Sequence, residues 1–284
     1  MPALWVIEVV ANRLLVPAGK TVREFHQAFL ELGEEQQLEI DLGVEAVIDI
    51  QGVNHENVPT MNVIGHLQGV VSNEYEGMDQ ELFVVLAKYD CPPAPLGQQS
   101  LPCASDNASG VAVMLEAIRA LQETGYQPYR TFLFVAYSGE GWEGGGQVSA
   151  EDVGQFLVSK HGFDRFYDLK GVIEVRAVGS GGSDLEVKSF GSLRLAQLFE
   201  RAAARQGVSV SLVRESMDVG RLFRDGSGLE SGEQVPRIII SRAGWETISA
   251  TREDTPDRID EKQLEEAGRV FALSLMILGR ELDY

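Results

Sequence analysis

The stretch that most restricts what this chain can fold into runs from Glu81 to Gly146. It reads ELFVVLAKYDC, a loop, CASDNASGVAVMLEAIRAL, and then RTFLFVAYSGEGWEGGG. Residues 82–87 form a continuous valine-rich apolar run, the signature of a strand covered on both faces, and residues 131–136 repeat it. Between them Val111, Met114, Leu115, Ile118 and Leu121 fall on one face of a helix that stops before Gly125. Ser105 or Asp106 can cap its first turn. Strand, acidic turn, helix, strand and acidic turn in succession is the layout of an active site in an α/β fold.

The rest of the chain extends this pattern. Helical spacing covers residues 7–16 and 22–36, with Phe25, Phe29 and Leu32 along one face of the second segment. Residues 44–50 and 61–67 read as two strands joined by the polar turn NHENVP, a hairpin suited to a sheet edge. The proline-rich CPPAPLGQQSLPC is a loop. A helix is expected at 150–159, a buried strand at 171–178, a strand at 185–190 and a helix at 192–206. Strands at 208–213 and 235–241 flank a glycine-rich polar loop, and a helix at 261–281 closes the chain. Strands alternating with helices predict a largely parallel or mixed sheet with helices on both faces. No internal repeat or low-complexity linker interrupts the 284 residues, so a single domain, 1–284, is expected.

Composition removes several classes of function. The formal net charge of −19 repels a phosphate backbone and an anionic membrane surface, so nucleic acid is not an expected partner. No apolar run is long enough to span a bilayer. The opening residues lack a basic segment and a cleavage site, so the default expectation is a cytoplasmic protein. Cys91 and Cys103 are the two cysteines and permit at most one intrachain disulfide.

Charged residues gather where loops leave the sheet. Asp90 follows one predicted strand, Glu140 follows another, Arg176 lies late in a third, and Asp106 sits at a helix start. Ligands of open α/β sheets bind outside the carboxyl ends of the strands, so these residues are expected to converge on one crevice. A single acid on a turn more often faces water or caps a helix, and it is the set that points to a site. The glycine-rich tracts lack the ending of a phosphate loop, and no G-x-S-x-G elbow supplies a serine nucleophile.

The string CASDNASG, its helix and the strand ending in SGE resemble the di-zinc aminopeptidases of the M28 peptidase family. The matching segments also include TMNVIGHLQG, the KYD tripeptide in place of His-x-Asp, and DTPDRID at 254–260. The resemblance implies a three-layer zinc-exopeptidase fold: a central mixed, mostly parallel sheet flanked by helices. Carried over position by position, the family's first zinc-binding histidine falls on Lys88, while the aspartate that orients it is kept as Asp90. The metal-bridging aspartate is kept as Asp106 and the general base as Glu140. The next acid, a zinc ligand, is Gly141; a further aspartate ligand aligns with Arg176, and the final histidine with Ala250.

Of the family's five ligands only Asp106 survives, whereas a catalytic zinc needs three protein ligands. The expectation is therefore a pseudopeptidase without a metal cofactor, acting as a binding or scaffold module. The alternative is an active metal-dependent aminopeptidase with a rearranged site. Lys88 and Arg176 bring positive charge where zinc would sit, so the pocket is expected to be a salt-bridge cluster with Asp90, Asp106 and Glu140. Such a pocket can hold a peptide terminus or a protein partner, with Glu140 or Asp106 for an amine and Arg176 for a carboxylate. In the family's fold the cysteines lie at the rim of the same crevice, as a structural disulfide or as two inert thiols. Residues 1–60 fit the resemblance less well and read as an N-terminal extension and edge hairpin, similar to the segment by which a protease-associated domain rejoins its peptidase domain.

Overall fold

The computed structural model describes residues 8–30, 42, 61–91, 100–138, 162, 165–191, 193–215 and 235–282. The chain divides into two compact units, Met1–Val58 and Pro59–Tyr284. In the first, helix α1 spans Glu8–Leu15 and helix α2 spans Val22–Leu30. Thr21 and Glu24 form a reciprocal cap on α2. The Thr21 backbone N–H donates to the Glu24 carboxylate at 2.8 Å, and the Glu24 N–H donates to the Thr21 hydroxyl at 3.3 Å.

The second unit is built on seven described strands: β1 Val63–Leu67, β2 Glu81–Lys88, β3 Thr131–Tyr137, β4 Asp168–Val175, β5 Leu185–Phe190, β6 Val210–Glu215 and β7 Arg237–Arg242. They lie in the order β1-β3-β2-β4-β7-β5-β6. The central β3-β2-β4-β7 ladders are parallel, and β1 on β3 and β5 on β7 are antiparallel, so the sheet is mixed and mostly parallel. The helices are α3 Gly110–Glu123, α4 Leu193–Gln206 and α5 Glu261–Leu278.

Alternation along the strands sorts the core into two layers. Phe83, Val85 and Ala87 of β2 pack with residues of α3, α4 and α5, among them Val113, Met114, Leu195, Phe199, Phe271 and Leu275. Leu82, Val84 and Leu86 point the other way and join Leu133, Val135, Tyr137 and Val172 in a second cluster. All of β2 from Leu82 to Ala87 is fully buried, which is why its sequence is an unbroken apolar run.

Element boundaries differ in informative places. The fourth strand begins at Asp168 and ends at Val175, so Arg176 stands just past its carboxyl end. The sixth strand is Val210–Glu215, two residues later than its pattern suggests. Residues 31–36 of the second predicted helix, the predicted strand 44–50 and the predicted helix 150–159 lie outside the described residues.

Candidate functional site

The site forms where β3, β2 and β4 end side by side. By alternation Lys88 follows Leu86 on β2, Tyr137 follows Val135 on β3 and Glu174 follows Val172 on β4, so all three belong to the same sheet face. Lys88 and Tyr137 are paired in register. All three are buried. A lysine and a glutamate in that position need partners, because burying an unpaired charge is costly.

The partners are present. The Lys88 ammonium lies 3.7 Å from an Asp90 carboxylate oxygen. Glu174 accepts from Arg237 at 2.7 Å and from the Tyr137 hydroxyl at 3.5 Å. Its other neighbour is Arg176, whose guanidinium is 3.8 Å away. Arg176 in turn grips Asp106: its Nη2 donates to both carboxylate oxygens at 2.9 and 3.1 Å, and its Nε donates at 3.2 Å. Ser249 donates its hydroxyl to the same carboxylate at 2.5 Å. The result is a chain of alternating charge, Arg237–Glu174–Arg176–Asp106. Trp245 closes one side, with the Arg176 guanidinium 4.8 Å from its ring centroid.

Backbone contacts fix Asp106 in place. It sits in an irregular turn, Ala104–Ser109, where its dihedrals leave the helical region at φ −111, ψ 83. Neither Ser105 nor Asp106 caps α3 with its side chain. Instead Asp254 reaches across from the DTPD segment and accepts from the Ser105 N–H at 2.6 Å and the Asp106 N–H at 3.0 Å. Asp254 has no exposed surface, and burial pushes its carboxyl pKa above the ordinary 3.8, against the lowering effect of those two N–H donors. The Ser109 hydroxyl donates to the Ser105 carbonyl at 2.5 Å and accepts from the Val178 N–H at 3.0 Å. Gly110 brings the start of α3 against β4, since a Cβ there would stand 2.2 Å from the Val175 carbonyl oxygen.

Two alanines beside the cluster hold left-handed backbone, Ala177 at φ 48 and Ala250 at φ 55. Each costs about 1–2 kcal/mol relative to a right-handed residue. They follow Arg176 and Ser249, the two side chains that bind Asp106, so the backbone strain sits beside the ion pair. The Asp90 loop is tied to the Asp106 turn by a Cys91–Cys103 disulfide, with Cα atoms 5.4 Å apart, and by the Asn107 amide donating to the Asp90 carbonyl.

The structure thus brings Asp106 together with Arg176, and Lys88 together with Asp90; Glu140 lies outside the described residues. Among the described residues the cation on Asp106 is Arg176, while Lys88 reaches Asp90. Glu174, Ser249 and Arg237 were not singled out from the sequence, and Asp254 was read only as part of a motif. A lone acid inside the apolar GVIEV run was the available signal for Glu174, because a charge in a doubly covered strand requires a partner. Among the described residues the donor set does not suit zinc. Both oxygens of the surviving ligand are held by a guanidinium and a hydroxyl, and no three of His, Cys, Asp or Glu among the described residues are grouped to hold a metal ion.

Comparison with known proteins supplies the lineage. Among solved structures, the aminopeptidase from Aneurinibacillus sp. strain AM-1 gives a TM-score of 0.56 at 19% identity, covering 77% of this chain and 48% of that one. BSAP, a zinc aminopeptidase from Bacillus subtilis, gives 0.53 at 21%, covering 78% and 51%. An Acidobacteriales bacterium glutaminyl cyclase gives 0.58 at 18%, covering 78% and 74%. The chain spans about half the length of the two aminopeptidases. At such identities the likeness shows the fold alone. No match is found among curated proteins. The family model of peptidase family M28 matches residues 62–275, from β1 into α5 and through every residue of the Arg176–Asp106 cluster, and the chain belongs to that family.

Proposed function

We propose that this chain is an M28 family member that binds without hydrolysing, a pseudopeptidase in which an ion-pair cluster has replaced the zinc site. The observation that carries this reading is the grip of Arg176 on both oxygens of Asp106, at 2.9 and 3.1 Å. A carboxylate held this way has no lone pair directed at a metal, and it is screened from acting as a base. Arg176 and Lys88 together carry two positive charges, enough to neutralise Asp90 and Asp106 without a cofactor. The crevice at the strand ends then serves to hold a peptide terminus or a segment of a protein partner, with Glu140 as the acid for an amine.

The Cys91–Cys103 disulfide supports an oxidising compartment in place of the cytoplasmic default. Among the described residues no helix is long and apolar enough to cross a membrane.

The test combines zinc content with hydrolysis of aminoacyl chromogenic substrates by wild type and Glu140→Gln. The proposal predicts no turnover above background in either protein, with or without added zinc. Turnover that Glu140→Gln abolishes would instead establish a metal-dependent aminopeptidase with a rearranged site.

A further inference from the structure

The chain has two cysteines, and both stand at the site: Cys91 directly follows Asp90, and Cys103 opens the irregular turn that carries Asp106. We infer that the bridge between them is a redox-sensitive switch, which holds the Lys88–Asp90 half of the site in place and on reduction releases that half while the Arg176–Asp106 half stays. The inference concerns the regulation of the crevice and rests on the ion-pair reading of it, though not on whether the chain hydrolyses a peptide. Three observations lead there.

The first is the position of the bridge. It runs from the Asp90 turn to the Asp106 turn, with Cα atoms 5.4 Å apart, so opening it changes how the two turns are joined. The Asn107 amide donates to the Asp90 carbonyl and joins the same turns by a hydrogen bond, a tie for which water can compete. Both cysteines are half-buried, which leaves the bridge within reach of an external thiolate.

The second is a difference in anchoring. On the Asp106 turn the Ala104 N–H donates to the Asp254 carbonyl at 3.0 Å, and the Asp254 carboxylate takes the next two N–H groups. Asp106 itself is gripped by Arg176 and Ser249. These contacts pass through neither cysteine, so the turn keeps them when the bridge opens. Asp90 stands instead between two ties of its own backbone. On one side the Tyr89 N–H donates to the Tyr137 carbonyl at 3.0 Å, extending the β2–β3 ladder by a residue, and on the other side is the bridge.

The third is the reach of the two ion pairs. Arg176 holds Asp106 at 2.9 and 3.1 Å, hydrogen-bond length twice over. Lys88 and Asp90 are 3.7 Å apart, beyond that length. A pair that long is set by where the backbone puts the carboxylate, so Lys88–Asp90 depends on the turn and Arg176–Asp106 depends on its own bidentate bonds.

The chemistry is thiol–disulfide exchange with a dithiol. One thiolate of the dithiol attacks a sulfur of the bridge, the S–S bond breaks, and the released cysteine leaves as a thiolate that takes up a proton. The second thiol of the dithiol then displaces the other cysteine. Two electrons and two protons pass to the cysteines, and the dithiol closes to a disulfide.

The test follows amide hydrogen exchange of the full chain by mass spectrometry in EDTA at neutral pH, oxidised and again with about 5 mM dithiothreitol. Residues 88–91 should exchange at least about tenfold faster once the bridge is reduced, and residues 104–109 should change by less than about threefold. Acetylation of Lys88 by acetic anhydride should rise by about fivefold or more, and reoxidation should restore both readouts. The double variant Cys91→Ser, Cys103→Ser should match reduced wild type and ignore the reductant; if it fails to fold, reduced wild type carries the test alone. A bridge that survives the dithiothreitol, an equal change in the two segments, or a loss of protection that spreads through Leu82–Ala87, as a merely structural bridge would give, would overturn the inference. Zinc content and peptide hydrolysis enter none of these readouts, so a failure of the pseudopeptidase reading is told apart from a failure of this one.

Discussion

Replacing Arg176 by glutamine removes one partner of a buried pair and leaves Asp106, 8% exposed at its side chain, with the Ser249 hydroxyl still donating to it. Breaking a fully buried pair costs about 3–5 kcal/mol. Here Arg176 is 20% exposed and Ser249 keeps one bond, so the expected loss is nearer to about 2–4 kcal/mol. Part of that loss belongs to Glu174 and Trp245, which also face the guanidinium. A double-mutant cycle separates the parts: Arg176→Gln, Asp106→Asn and the double variant, each unfolded in urea at neutral pH. Asp106→Asn alone should cost a similar amount, and the double variant clearly less than the sum, with a coupling of about 1.5–3 kcal/mol. The slope of the transition should be unchanged, so that the midpoints report stability. Additivity within about 0.5 kcal/mol would refute the claim that Arg176 neutralises Asp106.

Gly110→Ala should destabilise by about 1–3 kcal/mol or more, because its Cβ meets the Val175 carbonyl backbone, which cannot rotate away; thermal unfolding measures it. Asp254 makes a pH-dependent difference. Its carboxyl pKa is raised in the folded chain, so its contribution is fully present below about pH 3.8 and is lost as the pH rises through the native value. Wild type should therefore lose stability relative to Asp254→Asn between acid and neutral pH, and a constant difference across that window would contradict the burial argument. The cysteines are 12 positions apart, and joining them should contribute about 2–3 kcal/mol by restricting the unfolded chain, read from unfolding midpoints of wild type and Cys103→Ser with and without reductant. Equal midpoints in all four samples would show that the bridge contributes nothing.

Much of this architecture could be read from the residues, for a physical reason. A strand covered on both faces must be apolar throughout, so Leu82–Ala87 and the core of β3 announce themselves without any fold in hand. The spacing on α3 is legible only in part: Met114 and Leu121 are buried as expected and Val111 and Ile118 are half-buried, but Leu115 is 58% exposed, while Val113 and Ala117, outside the expected stripe, are buried. Interactions between distant segments are harder. Asp254 holds two N–H groups 148 and 149 positions away, and no local pattern predicts which backbone donors an aspartate will find. Ser249 is one of many serines, and only the fold brings it to Asp106. Lys88 and Arg176 were both expected to neutralise acids, but which acid each would meet depended on side-chain geometry: Arg176 took Asp106 and Lys88 took Asp90.

The most direct test of the central claim is anomalous scattering at the zinc edge from crystals grown with excess zinc. The account predicts no peak within ligand distance of Asp106, and an Arg176 guanidinium in its place. A peak bonded to Asp106, with Arg176 turned away, would show that the site still takes metal and that the ion-pair account is wrong.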